Sequence, residues 1–106
     1  MTELEPHTLV LLRWPADKPD FSDDELEELQ ARHLAFLGSL RARGLLLASG
    51  PLTDQPDESW RGISVYAVSA EEARRLASED PSVQAGRLEP IVFTWLAAPG
   101  SAAFGK

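Results

Sequence analysis

Two segments near opposite ends of the chain, Thr8 to Trp14 (TLVLLRW) and Leu88 to Leu96 (LEPIVFTWL), are apolar on both faces of an extended strand. In the first, Leu9 and Leu11 alternate with Val10 and Leu12; in the second, Ile91, Phe93 and Trp95 alternate with Val92 and Leu96. Successive side chains of a strand point to opposite sides of its sheet, so a sheet built on these segments needs both faces covered.

What covers them is read from the intervening sequence. Pro15 and a polar segment to Phe21 end the first strand. Ser22 with Glu25 three positions on forms a capping box, and Asp23 and Asp24 place negative charge where the helix dipole favours it. The helix that starts there carries an apolar stripe through Leu26, Leu29, Phe36, Leu37 and Leu40, and Gly44 stops it. Leu45 to Ala48 reads as a second strand ending at Ser49, Gly50 and Pro51. Thr53 to Arg61 is a polar loop, and Gly62 to Val68 is a third strand. Ser69 and Glu72 repeat the capping box at the head of a short helix that stops near Asp80, before Pro81. Leu88 to Leu96 is the fourth strand, and Ala97 to Lys106 is expected to be a loose tail.

The order β-α-β-β-α-β is the split βαβ pattern of a ferredoxin-like α+β fold, an antiparallel sheet with both helices on one face. Two helices hide only one face of a sheet. The other face would expose a large apolar patch in a monomer, so a homodimer packed sheet on sheet is expected.

His33 breaks the apolar stripe of the first helix. It falls four positions after Leu29 and three before Phe36, so a titratable group is aimed inward. Topology also supplies it with a candidate partner. His33 lies ten residues before the end of a descending helix near Arg43, and Asp80 lies ten residues beyond the start of an ascending one near Ala70. At about 1.5 Å per residue, both stand about 15 Å up the same side of the domain. Gly50, five residues beyond Leu45 on an ascending strand, reaches about 17 Å. A carboxylate bonded to one imidazole nitrogen leaves the other as a base suited to proton transfer near neutral pH. From pattern alone, a core or interface histidine bonded to backbone is the commoner reading of His33, and Asp80 fits a helix-end residue before a turn. Gly50 and Pro51, where no bulky side chain blocks approach, and Ser49 as a neighbouring donor are candidate substrate-binding residues.

Other chemistry is excluded by what the chain lacks. Its 106 residues make one domain with one core and no separate cofactor domain. Seventeen acidic against ten basic side chains, a net charge of −7, oppose binding to nucleic acid or an anionic membrane. No cysteine is present, and one inward histidine with one aspartate is too small a set for a metal site within a protomer. No phosphate-binding glycine loop or nucleophile elbow occurs, so no cofactor is expected. The acidic N-terminus lacks a signal pattern and no apolar run is long enough to cross a membrane, so a cytoplasmic protein is expected. His7, before the first strand, is read as solvated. Trp14, Trp60 and Trp95 are read as packing residues, with Trp60, in a polar loop, also placed to close over a pocket.

The motifs around these candidates resemble a known family. Arg32, His33 and Leu34, then Gly44, Leu45 and Leu46 running into Gly50, Pro51 and Leu52, then Asp80 and Pro81 with Gly86 shortly after, are similar to the YCII-related (YciI-like) proteins. The matching motifs span Arg32 to Gly86, about half the chain. The resemblance implies a dimeric α+β barrel of ferredoxin-like protomers. It also implies a histidine–aspartate active site, falling here on His33 and Asp80, and a small cyclic or aromatic metabolite as substrate. Relatives with an assigned activity are dehydrochlorinases of chlorinated hydroxyquinol-type rings, and the wider superfamily includes muconolactone isomerases and monooxygenases. The function implied is lyase or isomerase proton transfer. The alternative is a non-catalytic module that binds a small ligand, or serves a partner enzyme, with the same cleft.

Overall fold

The computed structural model describes residues 3–104. Its four strands form one antiparallel sheet in the order β2-β3-β1-β4, with β1 Glu5–Arg13, β2 Leu46–Pro51, β3 Trp60–Tyr66 and β4 Glu89–Ala97. Helices α1 (Asp23–Ala42) and α2 (Ala70–Ala77) follow β1 and β3, and the topology is ferredoxin-like. A one-turn helix α3 (Pro81–Gln84), absent from the sequence reading, lies between α2 and β4. No helix among the described residues is long and apolar enough to cross a membrane.

Local chemistry sets the helix limits. Ser22 and Glu25 form the expected capping box: the Ser22 hydroxyl accepts the Glu25 N–H, and the Glu25 carboxylate accepts the Ser22 N–H. The second box is only half made. Ser69 accepts the Glu72 N–H, but the Glu72 carboxylate turns to the Arg75 guanidinium one helical turn on. At the far end of α1, Gly44 adopts φ +75°, and the Leu45 N–H reaches back to the Leu40 carbonyl. That pairing closes the helix with a left-handed residue, which glycine tolerates without a Cβ clash.

The core lies between the helices and one face of the sheet, where Val10 and Leu12 of β1 meet Leu40 of α1, Leu76 of α2, Leu46, Tyr66 and Leu88. The register places Val10 opposite Ser64 and Val92, and Leu12 opposite Gly62 and Pro90. Opposed residues share a face, so the other face carries Leu9, Leu11, Ile63, Val65, Ile91, Phe93 and Trp95. Ile63, Ile91, Phe93 and Trp95 are exposed there.

Several boundaries differ from expectation. Pro51 lies inside β2 rather than beyond it, because β2 is an edge strand and a missing N–H on the outer side costs no ladder bond. β1 starts at Glu5, so His7 is a strand residue rather than a solvated one before it. Its ring packs 6.0 Å from Trp95 and 5.3 Å from Phe104, and its Nε2 is buried without a hydrogen-bond partner among the described residues. Ala97 is the last residue of β4 and is buried, and Phe104 also meets Trp95, so the tail folds back on the sheet through residue 104. Gly105 and Lys106, the rest of the expected tail, lie outside the described residues, as do Met1 and Thr2. Trp60 begins β3, opposite Arg13.

Candidate active site

Asp80 is held from two sides. As the N-cap of α3 its Oδ1 accepts the Ser82 N–H at 2.8 Å, and Pro81 occupies the first helical position, where its missing N–H is harmless. Its Oδ2 lies 2.7 Å from His33 Nδ1. Only 2% of Asp80 and 9% of His33 is exposed. A carboxylate this deep needs partners for both oxygens, and the capping amide and the imidazole supply them. Asp80 is therefore the cap of the next helix rather than the end of α2. Aspartate followed by proline is a sequence signal for that position.

A carboxylate oxygen accepts, so Nδ1–H is the donor in this contact, and in the neutral ring the lone pair then lies on Nε2. Nε2 makes no hydrogen bond among the described residues, and His33 forms part of the wall of a pocket of about 220 Å³. Asp80 stays behind the imidazole, away from the lining. The arrangement presents a ring nitrogen to a ligand and keeps the carboxylate dry.

The pocket opens between α1 and the sheet because β3 tapers. On its helix-facing side the side chains shrink from Tyr66 through Ser64 to Gly62, opposite Thr8, Val10 and Leu12 of β1. Helix α1 spans the space with Gln30, His33, Leu34 and Leu37, which recur at helical spacing. Gly62 has little room for a side chain, since a Cβ there would sit 3.1 Å from the Gly50 carbonyl oxygen. Three residues on the wall, Trp14, Arg61 and Arg87, were not recognised from the sequence as pocket residues. Trp14 continues the helix-facing alternation Thr8, Val10, Leu12, and the Arg61 guanidinium carbon lies over its ring, 4.3 Å from the centroid. Arg61 and Arg87 both reach the lining. The diminishing run Tyr66, Ser64, Gly62 is the signal by which sequence could have located the cavity.

Of the expected substrate-binding residues, Gly50 and Pro51 line the pocket beside His33. Ser49 pairs with Ser64 across the ladder and is not part of the lining. Trp60, the expected lid, is not part of it either. On the far side of the dyad, burial pushes the Tyr66 phenol up to about 12, and the negative charge of Asp80 adds to the shift.

Fold and pocket together define a ferredoxin-like α+β protein with a carboxylate-paired imidazole on the wall of a small cleft between helix and sheet. The chain belongs to the YCII-related domain family, whose model matches residues 10–95. Among solved structures it is similar to 5-chloro-2-hydroxyhydroquinone dehydrochlorinase (TftG) from Burkholderia phenoliruptrix AC1100, in complex with 2,5-dihydroxybenzoquinone. The two are 23% identical with a TM-score of 0.59, over 84% of this chain and 92% of that one. At that identity the likeness is one of fold. No curated protein sequence matches the chain.

Proposed function

We propose that this protein is a small-metabolite enzyme of lyase or isomerase type in which His33 moves a proton and Asp80 orients it. The observation that carries the reading is the 2.7 Å contact between His33 Nδ1 and the buried Asp80 carboxylate, with Nε2 left free at a pocket. Asp80 fixes the tautomer and stabilises the imidazolium formed when Nε2 takes a proton from an acidic O–H or C–H of the substrate. The electron pair left on the substrate takes that proton back from the imidazolium at a ring carbon; where that carbon bears chlorine, removal of a second O–H proton then expels chloride and leaves the quinone, and where it does not, the reaction ends at the tautomer. The first outcome is elimination of HCl and the second is isomerisation; neither needs an electron acceptor.

The substrate class is a single ring. Leu12, Trp14, Leu34 and Leu37 give the pocket apolar walls at a volume suited to one, and the structural neighbour is a dehydrochlorinase of a chlorinated hydroxyhydroquinone. The same reading includes a homodimer of α+β barrel type, with two sheets closing on each other through the face that bears Ile63, Ile91, Phe93 and Trp95.

Chloride release from 5-chloro-2-hydroxyhydroquinone, followed beside the absorbance of the quinone product, tests the reaction. Wild type is expected to release chloride, and a folded His33→Gln protein is expected to lose at least about 100-fold in rate. Equal rates in the two proteins sink the proton-transfer reading. Binding of 2,5-dihydroxybenzoquinone by both without any turnover of the chlorinated ring favours a ligand-binding module.

A further inference from the structure

The charged side chains on the pocket wall are unlike those of the chain as a whole. The protein carries 17 acidic and 10 basic side chains, yet no aspartate or glutamate lines the pocket, and the charged groups that do, beside the imidazole, are Arg61 and Arg87. Arg13 and Arg75 are engaged by Glu89 and by Glu72 and Glu79, whereas neither Arg61 nor Arg87 has a carboxylate within ion-pair distance among the described residues.

Both arginines are also anchored. The Arg61 guanidinium carbon stands over the Trp14 ring, and its Nη1 donates to the Glu58 carbonyl at 2.9 Å, which leaves further N–H groups unassigned. Arg87 follows Gly86, whose φ of +80° makes the turn out of α3, and its backbone N–H is tied to the Ser82 carbonyl at 3.0 Å. The backbone of Arg87 is thus fixed to the same short helix that Asp80 caps. Arg61 and Arg87 are half-buried residues, and a guanidinium beside apolar walls attracts an anion more strongly than one surrounded by water, because less water screens it.

We infer that the pocket selects an anionic ring, with Arg61 and Arg87 holding its carboxylate or ionised hydroxyl while the ring lies toward His33. This deepens the proposed ring chemistry and rests on it for the ligand's shape. It also answers an electrostatic difficulty. A chain of net charge −7 with a buried carboxylate behind its imidazole repels an anion, and two guanidiniums at the wall reverse that field locally. In a proton-transfer reaction they would further stabilise the oxyanion that forms when the substrate gives up its proton.

The test compares benzoate with its neutral isostere benzamide, titrated into the full chain and followed by the backbone amide resonances of Gly50, Gly62 and Ser64. Benzoate is expected to bind at these amides and to weaken as salt is added, with benzamide at least tenfold weaker. Arg61→Gln and Arg87→Gln are each expected to weaken benzoate about tenfold or more and leave benzamide unchanged. Equal affinity for the two probes, benzoate shifts confined to other residues, absence of benzoate binding at low salt, or folded arginine variants that bind benzoate as wild type does each overturn the inference. The probe and salt comparisons need no variant. Binding is read without turnover, so a wild type that releases chloride but ignores ligand charge would refute this inference alone, and a protein that binds benzoate but never releases chloride would refute the catalytic reading alone.

Discussion

His33 and Asp80, 47 positions apart in the chain, meet at 2.7 Å with both side chains buried. The contact joins the middle of α1 to the cap of α3, so one carboxylate both starts a helix and aims an imidazole. Structure and proposed chemistry therefore share a residue, and its substitutions separate the two.

Asp80→Asn keeps the size of the side chain but offers one acceptor oxygen in place of two. If that oxygen stays on the Ser82 N–H, the amide NH₂ faces His33 Nδ1 and can only donate, which moves the imidazole proton to Nε2. The expected result is a folded protein with the opposite tautomer in its imidazole ¹⁵N spectrum and turnover reduced roughly 10²–10⁴-fold. Asp80→Ala strands both the Ser82 amide and the imidazole and is expected to cost about 3 kcal/mol in denaturant unfolding.

Tyr66 is the chain's single tyrosine, so phenolate absorbance reports on it alone. Burial first, and Asp80 second, push it up to about 12 from an ordinary value of 10.0. A phenol that holds its proton more tightly when folded contributes stability that is complete below about pH 10, declines as pH rises, and is gone above about pH 12. The decline is expected to reach about 2–3 kcal/mol. Tyr66→Phe should flatten that alkaline limb in unfolding measured across pH, and wild-type phenolate absorbance should rise only near pH 12 or on unfolding.

The capping box at α1 gives an acid-side counterpart. Bonds from the Ser22 backbone and hydroxyl hold the Glu25 carboxyl below its usual 4.5. A carboxylate lowered on folding contributes above its ordinary value and loses that contribution as pH falls through the folded one. Ser22→Ala is expected to cost about 1 kcal/mol near neutral pH. The difference between Ser22→Ala and wild type should narrow in acid, as read from chemical unfolding at stepped pH.

On the open face of the sheet, Phe93 and Trp95 are 42% and 44% exposed in a single chain. If that face is the dimer interface, Phe93→Lys places a charge where the partner's sheet packs. Wild type is then expected to sediment at twice the 11.6 kDa chain mass and Phe93→Lys at that mass. A wild-type protein that stays monomeric at high concentration removes the proposed dimer.

Much of this was legible before any coordinates, because it follows from local rules. Ser22 with Glu25, Gly44, and the stripe through Leu29, Leu37 and Leu40 specify α1 through contacts a few residues apart. Alternation in β1 and β4 marked them as strands that are apolar on both faces. What stayed hidden was short or set by pairing. Helix α3 is four residues long, too brief for a periodic signal, so Asp80 read as an end and not a beginning. Pro51 read as a strand terminator because nothing local reveals that β2 lies at the edge. His7 read as solvated because its neighbours Trp95 and Phe104 arrive from the other end of the chain.

The candidate site divides the same way. By itself the sequence determined that a histidine on α1 faces inward and that an aspartate and a glycine turn stand near its height, because periodicity and rise per residue are properties of the backbone. Tertiary structure alone decided that Asp80 bonds His33, that the taper of β3 opens a pocket beside them, and that Arg61 and Arg87 charge its wall. Those are contacts between distant segments, set by strand order and register, and a one-residue slip of register would have turned Gly62 and Ser64 to the opposite face.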